Sequence, residues 1–288
     1  MDVGSPTDDD LKRILNLVPP IAWDVTVPIM LYDDGELRQH GTGTLLRVAH
    51  EYFLVTASHV PRQARKAGAE LFLTASSAGE SLVEAHGTWH GTSPPDGGDH
   101  DAFDVAVQQL TAETVNKLGG RAFVSLNDVW KKLPLEEDIY VACGYPCEMS
   151  TPGSPATGKV TLGPLKLVTS LYDGPTTMMD GKSPKFENYD PRYHFLLNAN
   201  KRNIRTMEGI GATFPDDLSG ISGCSVWKMN VKSYPRENWT SEKARIVGVQ
   251  NHVHGSRTIR ATYWAAVVTL LHKAVPALRP AIGLWRPN

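Results

Sequence analysis

Apolar and polar positions alternate with a period of two through most of the chain. Val25, Val27, Ile29 and Leu31 are spaced as one face of a strand, because successive side chains of an extended backbone point to opposite faces. Asp33-Asp34-Gly35 then supplies a hairpin signal, with glycine free to take a positive φ. Residues 41–48 and 52–57 read as paired strands, followed by His59 and a short basic helical stretch from Arg62 to Lys66. Further strands are predicted over 69–74, 81–89, 103–107, 138–146, 159–162, 165–170, 194–198 and 246–250, with a loop entering a strand over 218–229. A period near 3.6 stands out at the two ends of the chain. Leu11, Ile14, Leu15 and Val18 form one helical face, with Ser5 as cap, Pro6 in the first turn and Asp8 to Asp10 at the positive helix end. Pro19-Pro20 should stop it. Trp264, Val267, Val268 and Leu271 mark a second amphipathic helix over 264–274, and a shorter one is expected near 112–118. The pattern predicts a mostly β protein with strands at barrel-like spacing and helices at its ends.

Composition narrows the class. At 288 residues the chain is one large domain or two small ones. Twenty-five Gly and 20 Pro exceed the roughly 12 % average for the two together and favour short elements joined by tight turns. Lys plus Arg at 29 against Asp plus Glu at 31 gives no pull toward nucleic acid or an anionic membrane. No 18-residue apolar run is present, so no membrane span is expected. The first residues are acidic where a secretory leader would be basic and then apolar. Cys143, Cys147 and Cys224 are too few for a disulfide scaffold. The CxxxC spacing of the first two could serve a disulfide or a metal, but free buried thiols fit an odd count better. Together these features predict a cytoplasmic protein.

Three short strings carry chemistry. Leu54-Val55-Thr56-Ala57-Ser58-His59-Val60 is a strand ending in small residues and an imidazole. Phe103-Asp104-Val105-Ala106-Val107 sets an acid against a buried strand, and Gly220-Ile221-Ser222-Gly223-Cys224-Ser225-Val226-Trp227 holds a serine in a glycine-framed turn. A hydroxyl is a poor nucleophile at its own pKa. It needs an imidazole to take its proton and a carboxylate to fix that imidazole's tautomer. Glycines let the backbone turn so that two N–H groups face a developing oxyanion. Ser219 and Ser225 compete with Ser222, and Asp99 and Asp101 with Asp104.

These strings resemble those of the trypsin-like, chymotrypsin-fold serine peptidases. Thr56-Ala57-Ser58-His59 is similar to the family's Thr-Ala-Ala-His, Asp104-Val105-Ala106-Val107 to its Asp-Ile-Ala-Leu, and Gly220-Ile221-Ser222-Gly223-Cys224 to its Gly-Asp-Ser-Gly-Gly. The order His, Asp, Ser agrees, with gaps of 45 and 118 residues. The second gap is lengthened by a Gly-, Pro-, Ser- and Thr-rich segment over 149–187. Ile246-Val247-Gly248-Val249 resembles the family's strand that leads to the substrate edge. The resemblance covers about residues 23–275 and implies two six-stranded antiparallel β-barrels packed face to face. It divides the chain into an N-terminal helical extension (1–22), a first barrel with His and Asp (23–125), a second with Ser (126–276) and a C-terminal tail (277–288). It implies a serine endopeptidase in which His59, Asp104 and Ser222 are catalytic and the N–H groups of Gly220 and Ser222 form the oxyanion hole. Asn251 and His252 would line the substrate edge, and Asp216 would lie at a pocket floor and favour Lys or Arg. The implied partner is a protein or peptide substrate, with no cofactor. Ile221 stands where the family has Asp, and Cys224 where it has a second Gly.

Other readings of the same residues are weaker. His252 and His254 share a strand face and His86 and His90 lie close in sequence, but no acid or cysteine joins them at metal-ligand spacing. No metal site is therefore expected. The Arg62, Arg65, Lys66 cluster reads as a solvated face. Gly-Ile-Ser-Gly-Cys is not the α/β-hydrolase elbow, which needs a fifth-position glycine and strand–helix alternation. The rival to an enzyme is a catalytically silent binding module on the same fold, or a peptidase awaiting an activating protein partner.

Overall fold

The structure is a computed structural model that describes residues 8–18, 20–33, 35–75, 81–92, 102–133, 135–154, 159–178, 185–199, 215–255, 258–283 and 285. Two antiparallel sheets dominate it. The first follows β1 (Thr26–Asp33), β2 (Glu36–Val48), β3 (Glu51–Thr56), β4 (Glu70–Thr74), β5 (Leu82–Glu84), β6 (Gly87–Gly91) and β7 (Ala106–Leu110) in the spatial order β5-β4-β1-β2-β3-β7-β6. The second contains β8 (Tyr140–Gly144), β11 (Leu165–Thr169), β12 (His194–Asn198), β13 (Ser225–Lys228), β14 (Arg245–His254) and β15 (Thr258–Tyr263) in the order β11-β8-β13-β14-β15-β12. The class is as expected and the second sheet has the six strands foreseen. The first has seven on its main path, because residues 81–89 split into β5 and β6. Its extra pair, β9 (Thr151–Ser154) and β10 (Lys159–Thr161), returns from later in the chain to meet β2 through Leu37 and Gly153.

The sequence pattern accounts for most elements. Asp33 pairs with Glu36 across a two-residue turn in which Gly35 has φ +82°. The helix α1 (Asp8–Leu17) ends before Pro19-Pro20, with Ile14 on it and Val18 just beyond it buried; Ser5 and Pro6 lie outside the described residues. A helix not foreseen, α2 (Pro20–Val25), follows at once. Proline suits a first helical position, since its missing N–H would have no partner there. That places Trp23 on a helix, where the alternation at Val25 suggested a strand. The basic stretch is α3 (His59–Ala67), stopped by Gly68 in the left-handed conformation. Next comes α4 (Ala112–Lys117), capped by the Thr111 hydroxyl. The predicted face of α5 (Trp264–Ala274) is buried as expected. Beyond it the expected tail contains a further helix, α6 (Arg279–Gly283), with Ile282 and Trp285 buried. One apolar core runs from the first sheet to α5 and α6, and another fills the second sheet.

His194 on β12 is 1 % exposed, and its Nδ1 accepts from the Asp190 N–H at 3.0 Å. Burial first, and then the Arg260 charge, push its pKa from 6.5 to about 4. The unfolded chain therefore binds the proton more tightly. The stability tied to neutral His194 is fully present above about pH 6.5 and is lost as pH falls toward 4, by roughly 3 kcal/mol at most. Melting curves from pH 7 to 4.5 should show a smaller loss for His194→Gln than for the parent. Parallel losses would refute this origin.

Candidate active site

The site lies on the seam between the sheets. His59 opens α3, three residues beyond the last residue of β3, so strand and helix fix its backbone from both sides. Asp104 was expected within a strand. It lies instead just before β7, with φ +49° and 7 % exposure. A left-handed aspartate is uncommon and costs about 1 kcal/mol, so its neighbours must hold it. On one side the Thr92 hydroxyl accepts from Val105 N–H at 3.2 Å and donates to Val105 O at 3.0 Å. On the other, the Phe103 carbonyl accepts from Asn251 Nδ2 at 3.0 Å and from Thr262 Oγ1. The carboxylate then accepts twice from His59: from the ring Nδ1 at 2.8 Å and from the backbone N–H at 2.9 Å.

Burial pushes the Asp104 carboxyl up, but the His59 ring hydrogen bond, charge and backbone hydrogen bond, with Arg260 behind them, outweigh it and the net shift is down. Asp104 is thus ionised at neutral pH and can only accept. The proton of a neutral His59 must then sit on Nδ1, which leaves Nε2 as a bare acceptor. The site residues so paired can take a proton from a neighbouring hydroxyl.

Ser222 is half-buried on the turn before β13. Its turn is tied to the first sheet through Thr42: Thr42 N–H donates to Ser222 O at 2.8 Å, Thr42 Oγ1 donates to Gly220 O at 2.8 Å, and Thr42 O accepts from Thr56 Oγ1 at 2.8 Å. Gln39 Nε2 adds a bond to Tyr145 O at 3.0 Å and one to Gly220 O at 3.3 Å. Gly223 packs so tightly on this frame that an added Cβ would come within 2.0 Å of Thr56 Oγ1 and 2.9 Å of Ala57 N. The serine turn is thereby pressed against the segment that leads into His59. Ser222 Oγ makes no hydrogen bond among the described residues.

The competing serines are committed elsewhere. Ser225 is fully buried and its Oγ accepts from Trp227 Nε1 at 2.9 Å, while the Ser219 hydroxyl donates to Asp217 Oδ1 at 2.8 Å. The two expected oxyanion donors are oriented by their neighbours' carbonyls. Ser219 O accepts from Cys147 N–H at 2.7 Å and Ile221 O from Cys224 N–H at 2.9 Å. In a trans peptide the N–H points opposite the C=O, so Gly220 N–H and Ser222 N–H face away from those contacts. Neither donates to a protein acceptor among the described residues.

The departures from the family pattern have local explanations. Positive φ falls on Gly220 (+93°) and Gly223 (+94°), and Cys224 needs none. Cys224 and Ile221 are buried in the second core, packed against Gly144, where a Cβ would meet the Cys224 Cβ at 3.0 Å and the Ile221 Cβ at 3.3 Å. Burial raises the Cys143 thiol to about 12 and that of Cys224 well above its usual value. All three cysteines are free; Cys147 is half-buried, the other two buried.

Two of the substrate-binding expectations change. Asn251 is 1 % exposed and its side chain is committed to Phe103, Thr262 and Arg260, so it supports Asp104 and has no free group for substrate. Asp216 is exposed on the bend before Leu218, where a solvated carboxylate selects only weakly. His252 remains exposed beside His254, at 4.4 Å between ring centroids, and its pKa is lowered by burial first and then by Arg260, against the opposing charges of Glu187 and Asp104. No group of three metal-ligating side chains occurs among the described residues. The sequence reading missed Thr42 and Gln39. Their signal was Gly41-Thr42-Gly43, where glycines flank a threonine and any Cβ would come within 2.7 Å of Val60 Cγ1 or 2.4 Å of Leu54 Cδ1.

No protein-family model matches the sequence, and no curated protein matches it. Among solved structures the chain is similar to the protease Anisep from Arthrobacter nicotinovorans, at 12 % identity over 88 % of this chain and 96 % of that one, with a TM-score of 0.48. It is similar to the thermostable serine protease AL20 from an extremophilic microorganism at 9 % identity, covering 89 % and 99 % of the two chains, TM-score 0.47. Human heparin binding protein matches at 11 % identity over 90 % and 92 %, TM-score 0.47.

If Gly223 and not position 224 carries the close approach, Gly223→Ala should cost roughly 3 kcal/mol or more from left-handed strain plus overpacking. Cys224→Ala should cost about 1 kcal/mol. Urea unfolding of both variants checks this, and a reversed order would overturn it.

Proposed function

We propose that the chain is a serine endopeptidase of the trypsin-like kind, hydrolysing a peptide bond through an acyl-enzyme. The observation that carries the reading is the doubly bonded His59–Asp104 pair on the same seam as a serine turn with two uncommitted N–H groups. Ser222 Oγ attacks the carbonyl carbon as His59 Nε2 takes its proton, and Asp104 stays ionised and stabilises the imidazolium. Gly220 and Ser222 N–H hold the oxyanion. His59 then gives the proton to the leaving amine, and water repeats the sequence on the acyl-enzyme. The substrate is a protein or peptide and the chemistry needs no cofactor. His252 would meet substrate at the β14 edge. Three free thiols fit a cytoplasmic setting.

A second reading, a silent module or a peptidase activated by a protein partner, is favoured by the hydrogen bond that Ser222 Oγ does not make to His59. A fluorophosphonate probe separates the two. The purified chain should label at Ser222. Ser222→Ala should abolish labelling without loss of folding, Ser225→Ala should leave Ser222 reactive, and His59→Ala should slow labelling by several orders of magnitude. A folded chain that never labels would exclude the peptidase reading for the chain alone.

A further inference from the structure

Asp104 is held from behind by a part of the second sheet that the triad chemistry does not itself use. Arg260 on β15 is 4 % exposed, and among the described residues its guanidinium reaches these acceptors: Nε donates to Asn251 Oδ1 at 3.0 Å, and Nη1 donates to Glu187 O and to Asn188 O, each at 3.0 Å. With its oxygen fixed by Arg260, the Asn251 amide can only turn its NH2 the other way. That group donates to Phe103 O at 3.0 Å and to Thr262 Oγ1 at 2.7 Å, and the Thr262 hydroxyl donates in turn to the same Phe103 carbonyl. Phe103 is the residue before the left-handed Asp104, so its carbonyl orientation sets the peptide that leads into the strained residue. A planar guanidinium with a fixed fork suits this task better than a flexible ammonium.

We propose that Arg260 is the positioning residue of the site: through Asn251 it fixes the Phe103 carbonyl, holds Asp104 in its left-handed conformation and so keeps the carboxylate on both His59 donors. The proposal rests on His59 and Asp104 being the general-base pair of the proposed peptidase. It also ties the segment at Glu187 and Asn188, remote in sequence from the three chemical strings, to the orientation of His59.

The test uses the full chain and two readouts. One is the low-field proton resonance of the His59 Nδ1–H···Asp104 hydrogen bond, which needs no turnover. The other is the rate of fluorophosphonate labelling at Ser222. Asn251→Asp keeps an oxygen for Arg260 but removes the NH2 donors to Phe103 and Thr262. Arg260→Met removes the fork at similar length, and Arg260→Lys restores the charge with one donor group. We expect Asn251→Asp and Arg260→Met to lose or broaden the resonance and to label roughly 10–100-fold more slowly, with Arg260→Lys intermediate. A purely structural role would lower the melting temperature yet leave the resonance of the folded protein and its labelling rate as in the parent; that result would overturn the proposal. Should Arg260→Met not fold, Thr262→Val takes one donor from Phe103 O with Arg260 in place, and it must weaken the resonance for the proposal to stand. If the parent shows the resonance but never labels, the peptidase reading fails, and the resonance still decides the role of Arg260.

Discussion

The Ser222 turn grows out of one sheet and takes its shape from the other. Thr42 is the link. Its N–H, carbonyl and hydroxyl are all committed, to Ser222 O, Thr56 Oγ1 and Gly220 O respectively, in a fully buried position. Each such bond is worth only about 1 kcal/mol net, but a buried donor or acceptor left unmade costs 1–3 kcal/mol. The network is therefore worth more as a constraint than as a sum of attractions. Any slip of one sheet against the other would orphan several groups at once, in a place water does not reach. Gly223 makes the approach feasible, since an added Cβ there would come within 2.1 Å of Thr42 O and 2.0 Å of Thr56 Oγ1 and would force the sheets apart. The serine turn and the strand that leads to His59 are in this way brought to one seam by contacts that involve neither the Ser222 hydroxyl nor the His59 ring.

Electrostatics adds a second constraint from the opposite side. An aspartate as buried as Asp104 would ordinarily resist ionisation. Two N–H donors from one histidine, together with the nearby Arg260 cation, reverse that tendency. The same buried cation, after burial, depresses the pKa of His194 and His252, and for His254 it acts after burial and the neighbouring His252.

The strands and terminal helices were legible because period-two and period-3.6 patterns report burial directly, as at Val27 and Ile29 or Trp264 and Leu271. His59, Asp104 and Ser222 were legible as strings of residue types. What escaped notice is what tertiary context decides. The left-handed conformation of Asp104 is imposed by Thr92 on one flank and Asn251 and Thr262 on the other, and no local pattern around Phe103-Asp104-Val105 announces it. Asn251 sits in a strand next to exposed His252, so spacing alone could not tell a substrate edge from a buried support. The missed α2 begins with a proline, read first as a terminator, and the return of β9 to β2 depends on a pairing between residues more than a hundred positions apart.

Ile221 shows how the same turn can be held without a charge. A buried carboxylate next to Ser222 would need a buried cation as its partner, and breaking such a pair is strongly destabilising. Here the position is apolar and 2 % exposed, packed with Leu218, Cys224 and Val226 into the core of the second sheet. The backbone around it is closed by Ile221 N–H to Leu218 O at 3.2 Å and Cys224 N–H to Ile221 O at 2.9 Å. Burying one isoleucine side chain contributes about 2 kcal/mol, and it does so whenever the sheet folds. The backbone conformation of the Ser222 turn is then coupled to formation of the second core. It depends on no particular ionisation state at position 221.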